Sequence, residues 1–154
     1  MKILFNEHPN KGFQRVGYCS YYGEIFYALE EVCEVTSSCG VPSRTSEFGS
    51  GYDAIVMGFG HTDCGDAGPM PTINDNNIPL FPILNKEYTG LKQKLEWIKN
   101  MKPTAALTVH HDTEEYSKIT GVPFHRIMWS ANENLFKDYG CLLYTSPSPR
   151  DSDS

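Results

Sequence analysis

The sequence predicts an α/β domain built on an open, Rossmann-like parallel sheet flanked by helices. Two observations carry this expectation. The stretch Tyr52-Asp-Ala-Ile-Val-Met-Gly-Phe-Gly-His61 is apolar from Ala54 to Met57 and breaks at Gly58 and Gly60, which suits a strand buried on both faces, as in a parallel sheet. Strand-like and helix-like segments also alternate along the chain in the order β-α-β-loop-β-loop-β-α-β-α-β, and this pattern places helices on both faces of such a sheet. Open sheets of this kind bind ligands beyond the carboxyl ends of their strands, where His61 falls.

In chain order, Lys2–Asn6 reads as the first strand. Glu7–Cys19 is a loop carrying Gly12 and Gly17, with Lys11 just before them and Arg15 between them. Ser20–Val32 has helical spacing, with Tyr22, Ile25, Phe26, Leu29 and Val32 on one face. Cys33–Thr36 is a short second strand, and Ser37–Ser50, rich in Ser, Gly and Pro, is loop. Ala54–Phe59 is the third strand. His61–Ile78 is loaded with Gly, Pro, Asn and Asp and reads as one long unstructured connection. Pro79–Leu84 is a fourth strand weakened by Pro82.

Lys86–Met101 is the best helix, with a Leu91, Leu95, Ile98 seam and with Lys92, Lys94, Glu96 and Lys99 toward solvent. Asn100 and Pro103 stop it. Thr104–Val109 is strand five. Asp112 is expected to cap a short helix with Glu115 reaching back, Tyr116 and Ile119 facing inward and Gly121 ending it. Phe124–Trp129 is strand six, and Ser130–Gly140 begins a further turn or helix.

Composition narrows the function classes. With 154 residues and a net charge of −6, the chain is large enough for one real core and lacks the basic stripe of a nucleic-acid surface. There is no apolar run long enough to span a membrane and no signal peptide at the amino terminus. The five cysteines include no C-x-x-C pair, so they read as reduced thiols of a cytoplasmic protein.

The glycine loop after strand one permits close backbone approach to a ligand, with Gly12, Arg15 and Gly17 facing it. It is neither G-x-G-x-x-G nor a P-loop. His61, followed by Asp63 and Asp66, fits a general base with an orienting carboxylate or a metal ligand. His8, His61-Thr-Asp63 and His110-His111-Asp112 sit at strand ends in the mixture that metal hydrolases use, without a tight ligand spacing. Trp129 and Tyr116 read as core. No Gly-x-Ser-x-Gly elbow supports nucleophilic catalysis.

Two stretches near the end carry further information. Cys141-Leu-Leu-Tyr-Thr-Ser-Pro-Ser-Pro-Arg-Asp151 resembles the translated read-through of a transposase-based sequencing adapter, so 141–154 is expected to be a non-native, disordered tail and 1–140 a single domain truncated at its junction. Tyr116–Gly140, with Ser130, Ala131, Asn132 and Phe136 in its last part, resembles the domain junction of GT-B glycosyltransferases of the spore-maturation or polysaccharide type. Met1–Phe5, the Gly12/Gly17 loop and Tyr52–His61 are similar to that family's first strand, glycine loop and His-ending strand.

The resemblance implies the amino-terminal, acceptor-side half of a two-domain enzyme whose carboxyl-terminal Rossmann domain is missing. It implies a nucleotide-sugar donor as co-substrate, a sugar or glycan acceptor, and no bound cofactor or metal. By the same resemblance Gly12 and Gly17 approach the donor diphosphate, His61 lies beside the reacting sugar as the catalytic residue, and Asn85 and His110 are ligand-binding. Asn85 stands where many relatives carry His, and His110 where they often carry Ser. One wall of a cleft cannot assemble acceptor, donor and charge stabilisation, so the chain alone is expected not to turn over. The alternatives from the residues are a metal- or His-dependent α/β hydrolase and a non-enzymatic flavodoxin- or receiver-like binding module.

Overall fold

The computed structural model describes residues 1–7, 24–40, 42–58 and 73–128. Within them the strands are β1 (Lys2–Glu7), β2 (Glu34–Cys39), β3 (Ala54–Met57), β4 (Leu80–Leu84), β5 (Ala106–Thr108) and β6 (Phe124–Arg126). The helices are α1 (Glu24–Glu30), α2 (Leu91–Met101) and α3 (Thr113–Thr120), with a 3-10 turn at Thr45–Phe48. The six strands form one sheet in the order β2-β1-β3-β4-β5-β6, and every neighbouring pair is parallel. This is the expected Rossmann-like α/β architecture. Its order reverses between β1 and β3, so these two strands flank the topological switch point.

Alternation along the strands builds two cores. Ile3, Phe5, Ala54, Val56 and Ile83 pack under α1, where Phe26 meets Phe5 edge-on at 5.8 Å. Leu4, Ile55, Met57, Leu80, Leu84 and Ala106 face the other way, onto α2 and α3. The α2 seam is wider than Leu91, Leu95 and Ile98, because Trp97 and Met101 are also buried. Burying each of these large side chains is worth roughly 1.5–3 kcal/mol. β3 is buried along its whole length, as the glycine-bounded apolar run requires. Asp53 ties its start to β1: the Lys2 N–H donates to Asp53 Oδ2 at 2.7 Å and the Asp53 N–H to the Lys2 carbonyl at 2.8 Å.

Several local expectations are corrected. Val32 is not on the inner helical face but 78% exposed, because α1 stops at Glu30 and Val32 lies in the turn beyond it. Cys33 precedes β2, which extends to Cys39. α2 begins at Leu91 rather than Lys86: Lys86 and Gly90 both take left-handed conformations, with φ 51° and 65°, and residues 85–90 form a turn. Pro82 occupies a central strand. Residues two apart turn their backbone groups the same way, so its nitrogen faces the β5 side, where the paired residues begin only at Ile83. Thr104 closes the gap from that side: its N–H donates to the Leu80 carbonyl at 3.0 Å and its Oγ1 accepts the Leu80 N–H at 3.2 Å.

The expectation of an unstructured connection over 61–78 fails for its last part. Ile73 pairs with Arg44 in an isolated parallel bridge. Thr45 Oγ1 accepts the N–H groups of Asp75 and Asn76 at 2.9 and 3.1 Å. Asp75 in turn accepts the Ser46 N–H at 2.8 Å and the Ser46 hydroxyl at 2.9 Å. Asn74 Nδ2 donates to the Met101 carbonyl at 3.0 Å. Short Asn, Asp and Thr side chains replace a backbone ladder here, and they fasten the 3-10 turn to the end of α2.

The Ser46 N–H, with further hydrogen bonds from Ser46, Asp75 and Thr45, holds the Asp75 carboxyl below the usual range despite partial desolvation. A depressed carboxylate stabilises the fold above its unfolded value and loses that contribution as pH falls through the folded one. Acidification below the ordinary aspartate range is therefore expected to loosen residues 44–49 first, read as a fall in amide protection there relative to the intrinsic exchange rate at each pH. Asp75→Asn is expected to remove the pH dependence of that protection.

Candidate functional site

All six strands point the same way, so their carboxyl ends share one edge. At the switch point Glu7 ends β1 and is fully buried. Gly58 follows β3, and its N–H donates to the Asn6 carbonyl at 2.8 Å. A Cβ on Gly58 would stand 2.1 Å from Glu7 Oε2. Gly58 is thus required for the close approach of a carboxylate, a reason beyond turn formation.

The next strand ends carry a linked set of polar groups. Asn85 follows β4 and is buried. Lys94, expected on the solvent face of its helix, is instead 2% exposed. Its Nζ donates to the carbonyls of Asn85 and Lys86, the latter at 2.9 Å. The left-handed Lys86 backbone aims these carbonyls inward, and they draw the amine back along its aliphatic stem. The same turn presents Glu87, whose Oε1 accepts the Thr108 hydroxyl. Thr108 Oγ1 also accepts the His110 N–H at 3.2 Å, so α2, the β4–α2 turn and the end of β5 are joined through Lys94, Glu87 and Thr108.

His110 stacks on Tyr116 at 5.7 Å with the rings 20° apart, and the Tyr116 hydroxyl lies 3.0 Å from His110 Nδ1. The Asp112 N–H approaches the same nitrogen at 3.4 Å and Asp112 Oδ2 at 3.3 Å. Asp112 occupies the N-cap position of α3 without a side-chain capping bond; the expected capping box with Glu115 is not formed, because the Asp112 carboxylate turns to His110. Nδ1 thus faces both a hydroxyl and a carboxylate: a ring hydrogen on Nδ1 serves Asp112, and one on Nε2 lets Tyr116 donate to Nδ1. Nε2 meets a ligand as an acceptor in the first tautomer and as a donor in the second.

These groups line an open cleft of about 280 Å³ between α2 and α3, with Glu87, Tyr88, His110, Asp112, Glu115 and Tyr116 in its walls. Among the described residues no Lys or Arg lines it. Ile119, expected to face inward, is 49% exposed at this cleft; Tyr116 and Thr120 form the inner face of α3, and Ile119 lies on its flank. Tyr116 is core as expected, edge-on to Phe124 at 5.5 Å.

Burial, then the Glu87, Asp112 and Glu115 carboxylates, push the Tyr116 phenol from 10.0 up to about 12. The folded protein keeps this proton where the unfolded chain has lost it. The associated stability is complete below the ordinary phenol value and is lost as pH rises through the folded one. Denaturant unfolding across this alkaline range is expected to show that loss, and Tyr116→Phe to flatten it.

Of the residues singled out in the sequence, the structure brings His110 to this cleft and places Asn85 in the turn behind it. Gly12, Arg15, Gly17 and His61 lie outside the described residues, as do His8, Asp63, Asp66, Trp129 and 130–154. Among the described residues no group of three or more His, Cys, Asp or Glu is arranged to hold a metal ion, and no helix is long and apolar enough to cross a membrane. Cys33 and Cys39 are free thiols. Glu7, Glu87, Lys94 and Thr108 were not singled out for the site; Glu7 directly after the expected first strand, which in the structure extends to include it, was the one available signal.

Fold and site together define an all-parallel α/β domain with a carboxylate- and aromatic-lined cleft at its carboxyl edge. No family model matches the chain, and neither the curated proteins nor the solved structures provide a match.

Proposed function

We propose that this chain is the acceptor-side domain of a GT-B-type glycosyltransferase, with the nucleotide-sugar donor held by a second domain and 141–154 foreign to it. The observation that carries the reading is the chemistry of the cleft beside His110. Carboxylates accept hydrogen bonds from sugar hydroxyls, the His110 Nε2 pairs with a hydroxyl in either tautomer, and Tyr88 supplies aromatic surface. The absence of Lys and Arg from the lining among the described residues suits a neutral acceptor better than a diphosphate, which needs cationic or helix-terminal partners. The junction-like sequence Tyr116–Gly140 supports the same assignment. His61 is the catalytic candidate, and Gly12, Arg15 and Gly17 face the donor in this reading.

One observation favours a second reading. The order β2-β1-β3-β4-β5 is also that of flavodoxin-like sheets, which bind a flavin nucleotide at the β1/β3 switch point. Saturation-transfer NMR on the purified chain separates the two. Free monosaccharides are expected to receive saturation, and Tyr116→Ala or His110→Ala to reduce it. Binding of flavin mononucleotide with no sugar response would replace the first reading by the second.

A further inference from the structure

A second cavity lies at the other end of the sheet. It opens over β1 and β2, has a volume of about 370 Å³, and is lined by Asn6, Thr36, Ser38, Glu47, Phe48 and Tyr52 among others. The register pairs Leu4 with Thr36 and Asn6 with Ser38, so Asn6, Thr36 and Ser38 share one face. Asn6 is 2% exposed. Its Nδ2 donates to Ser38 Oγ at 2.9 Å, while its Oδ1 has no hydrogen-bond partner among the described residues.

Reversing the amide would let the Ser38 hydroxyl donate to the oxygen and leave the nitrogen without a partner instead. Either orientation leaves one buried amide atom unsatisfied, at a cost of about 1–3 kcal/mol. Native interiors contain few such atoms. A ligand hydroxyl satisfies either one, since it both donates and accepts.

The rest of the lining narrows the ligand. Thr36 and Ser38 add hydroxyls, Glu47 adds a carboxylate, Phe48 and Tyr52 add aromatic surface, and among the described residues no Lys or Arg lines the cavity. An anion finds no countercharge among these residues. We infer that this β1–β2 cavity is a second carbohydrate subsite, in which the buried Asn6 amide hydrogen-bonds a hydroxyl of a neutral sugar ring. The choice of a sugar among hydroxyl-rich ligands rests on the function proposed above; the place and the hydrogen-bonding demand rest on the cavity itself.

The test is a titration of the isotope-labelled full chain with D-glucose, D-galactose and N-acetylglucosamine, followed by amide and side-chain NMR shifts, with inorganic phosphate and adenosine as controls. Saturable sugar-dependent shifts are expected at Asn6, Thr36 and Ser38. Asn6→Leu, close in shape, is expected to weaken sugar binding about tenfold or more, the loss of one well-made hydrogen bond. Its folded stability should be unchanged or raised, because the unsatisfied atom is gone. Should that variant not fold, Asn6→Ala, which removes the amide without filling its place, is expected to show the same weakening. Sugar shifts confined to His110 and Tyr116 would overturn this subsite and leave the proposed function standing. No sugar response anywhere would overturn both. Shifts at Asn6 with phosphate or adenosine but not with sugars, or undiminished sugar binding by a folded Asn6 variant, would also overturn the subsite.

Discussion

Replacing Lys94 by Met is expected to destabilise the protein by roughly 1–3 kcal/mol and to weaken ligand binding in the His110 cleft. The substitution keeps the aliphatic stem and its packing and removes only the donor. The Lys86 carbonyl keeps the Thr89 N–H at 2.9 Å, whereas the buried Asn85 carbonyl loses the amine, and a buried acceptor that loses its donor costs about 1–3 kcal/mol. The consequence extends to the cleft, because the turn that Lys94 holds also carries Glu87, and Glu87 binds Thr108 beneath His110. Denaturant unfolding of Lys94→Met against Lys92→Met, a solvent-facing control on the same helix, isolates the effect. Equal stability of the two variants would show that the buried amine is not what fixes the turn.

Gly58→Ala is the second large effect. A single methyl at this position would meet the Glu7 carboxylate at 2.1 Å. The three nearest atoms it would meet all belong to the Glu7 carboxylate, the end of a flexible side chain, so relief comes from swinging Glu7 out of its buried place. Overpacking of this kind costs about 1–3 kcal/mol. A double-mutant cycle with Glu7→Ala assigns the cause: the added methyl is expected to be much less harmful once the carboxylate is gone. Unchanged cost in the Glu7→Ala background would place the strain elsewhere. The pair borders the switch point, so the same variant is also expected to disturb whatever that edge binds.

The fold was legible because burial on both sides of a parallel sheet leaves a strong local pattern. Ala54–Met57 could be read as a two-sided strand from four residues and their flanking glycines, and α2 from its apolar seam. The site was less legible because its geometry is set by contacts between distant residues. Periodicity places Lys94 on the polar side of α2, and nothing local announces that the Asn85 and Lys86 carbonyls will face it. Asp112 reads as a helix cap until His110 is seen to compete for its carboxylate. The Asn74–Asn76 segment looks like open loop in composition, yet the same residue types satisfy Thr45 and Ser46 some thirty positions away. His110 could be picked out because a histidine at a strand's carboxyl end is informative by itself. Glu7 gains its meaning only from Gly58, across the switch point.

The measurement that bears most directly on the proposed two-domain sugar transferase is a transfer assay on two proteins. One is residues 1–140 alone; the other is the same residues continued with the natural coding sequence downstream of Gly140. Radiolabelled nucleotide-sugars and a panel of glycan acceptors serve as substrates. The expected result is transfer by the extended protein only, abolished by His61→Ala. Transfer by residues 1–140 alone, or an extended protein that transfers from none of the donors, would contradict it.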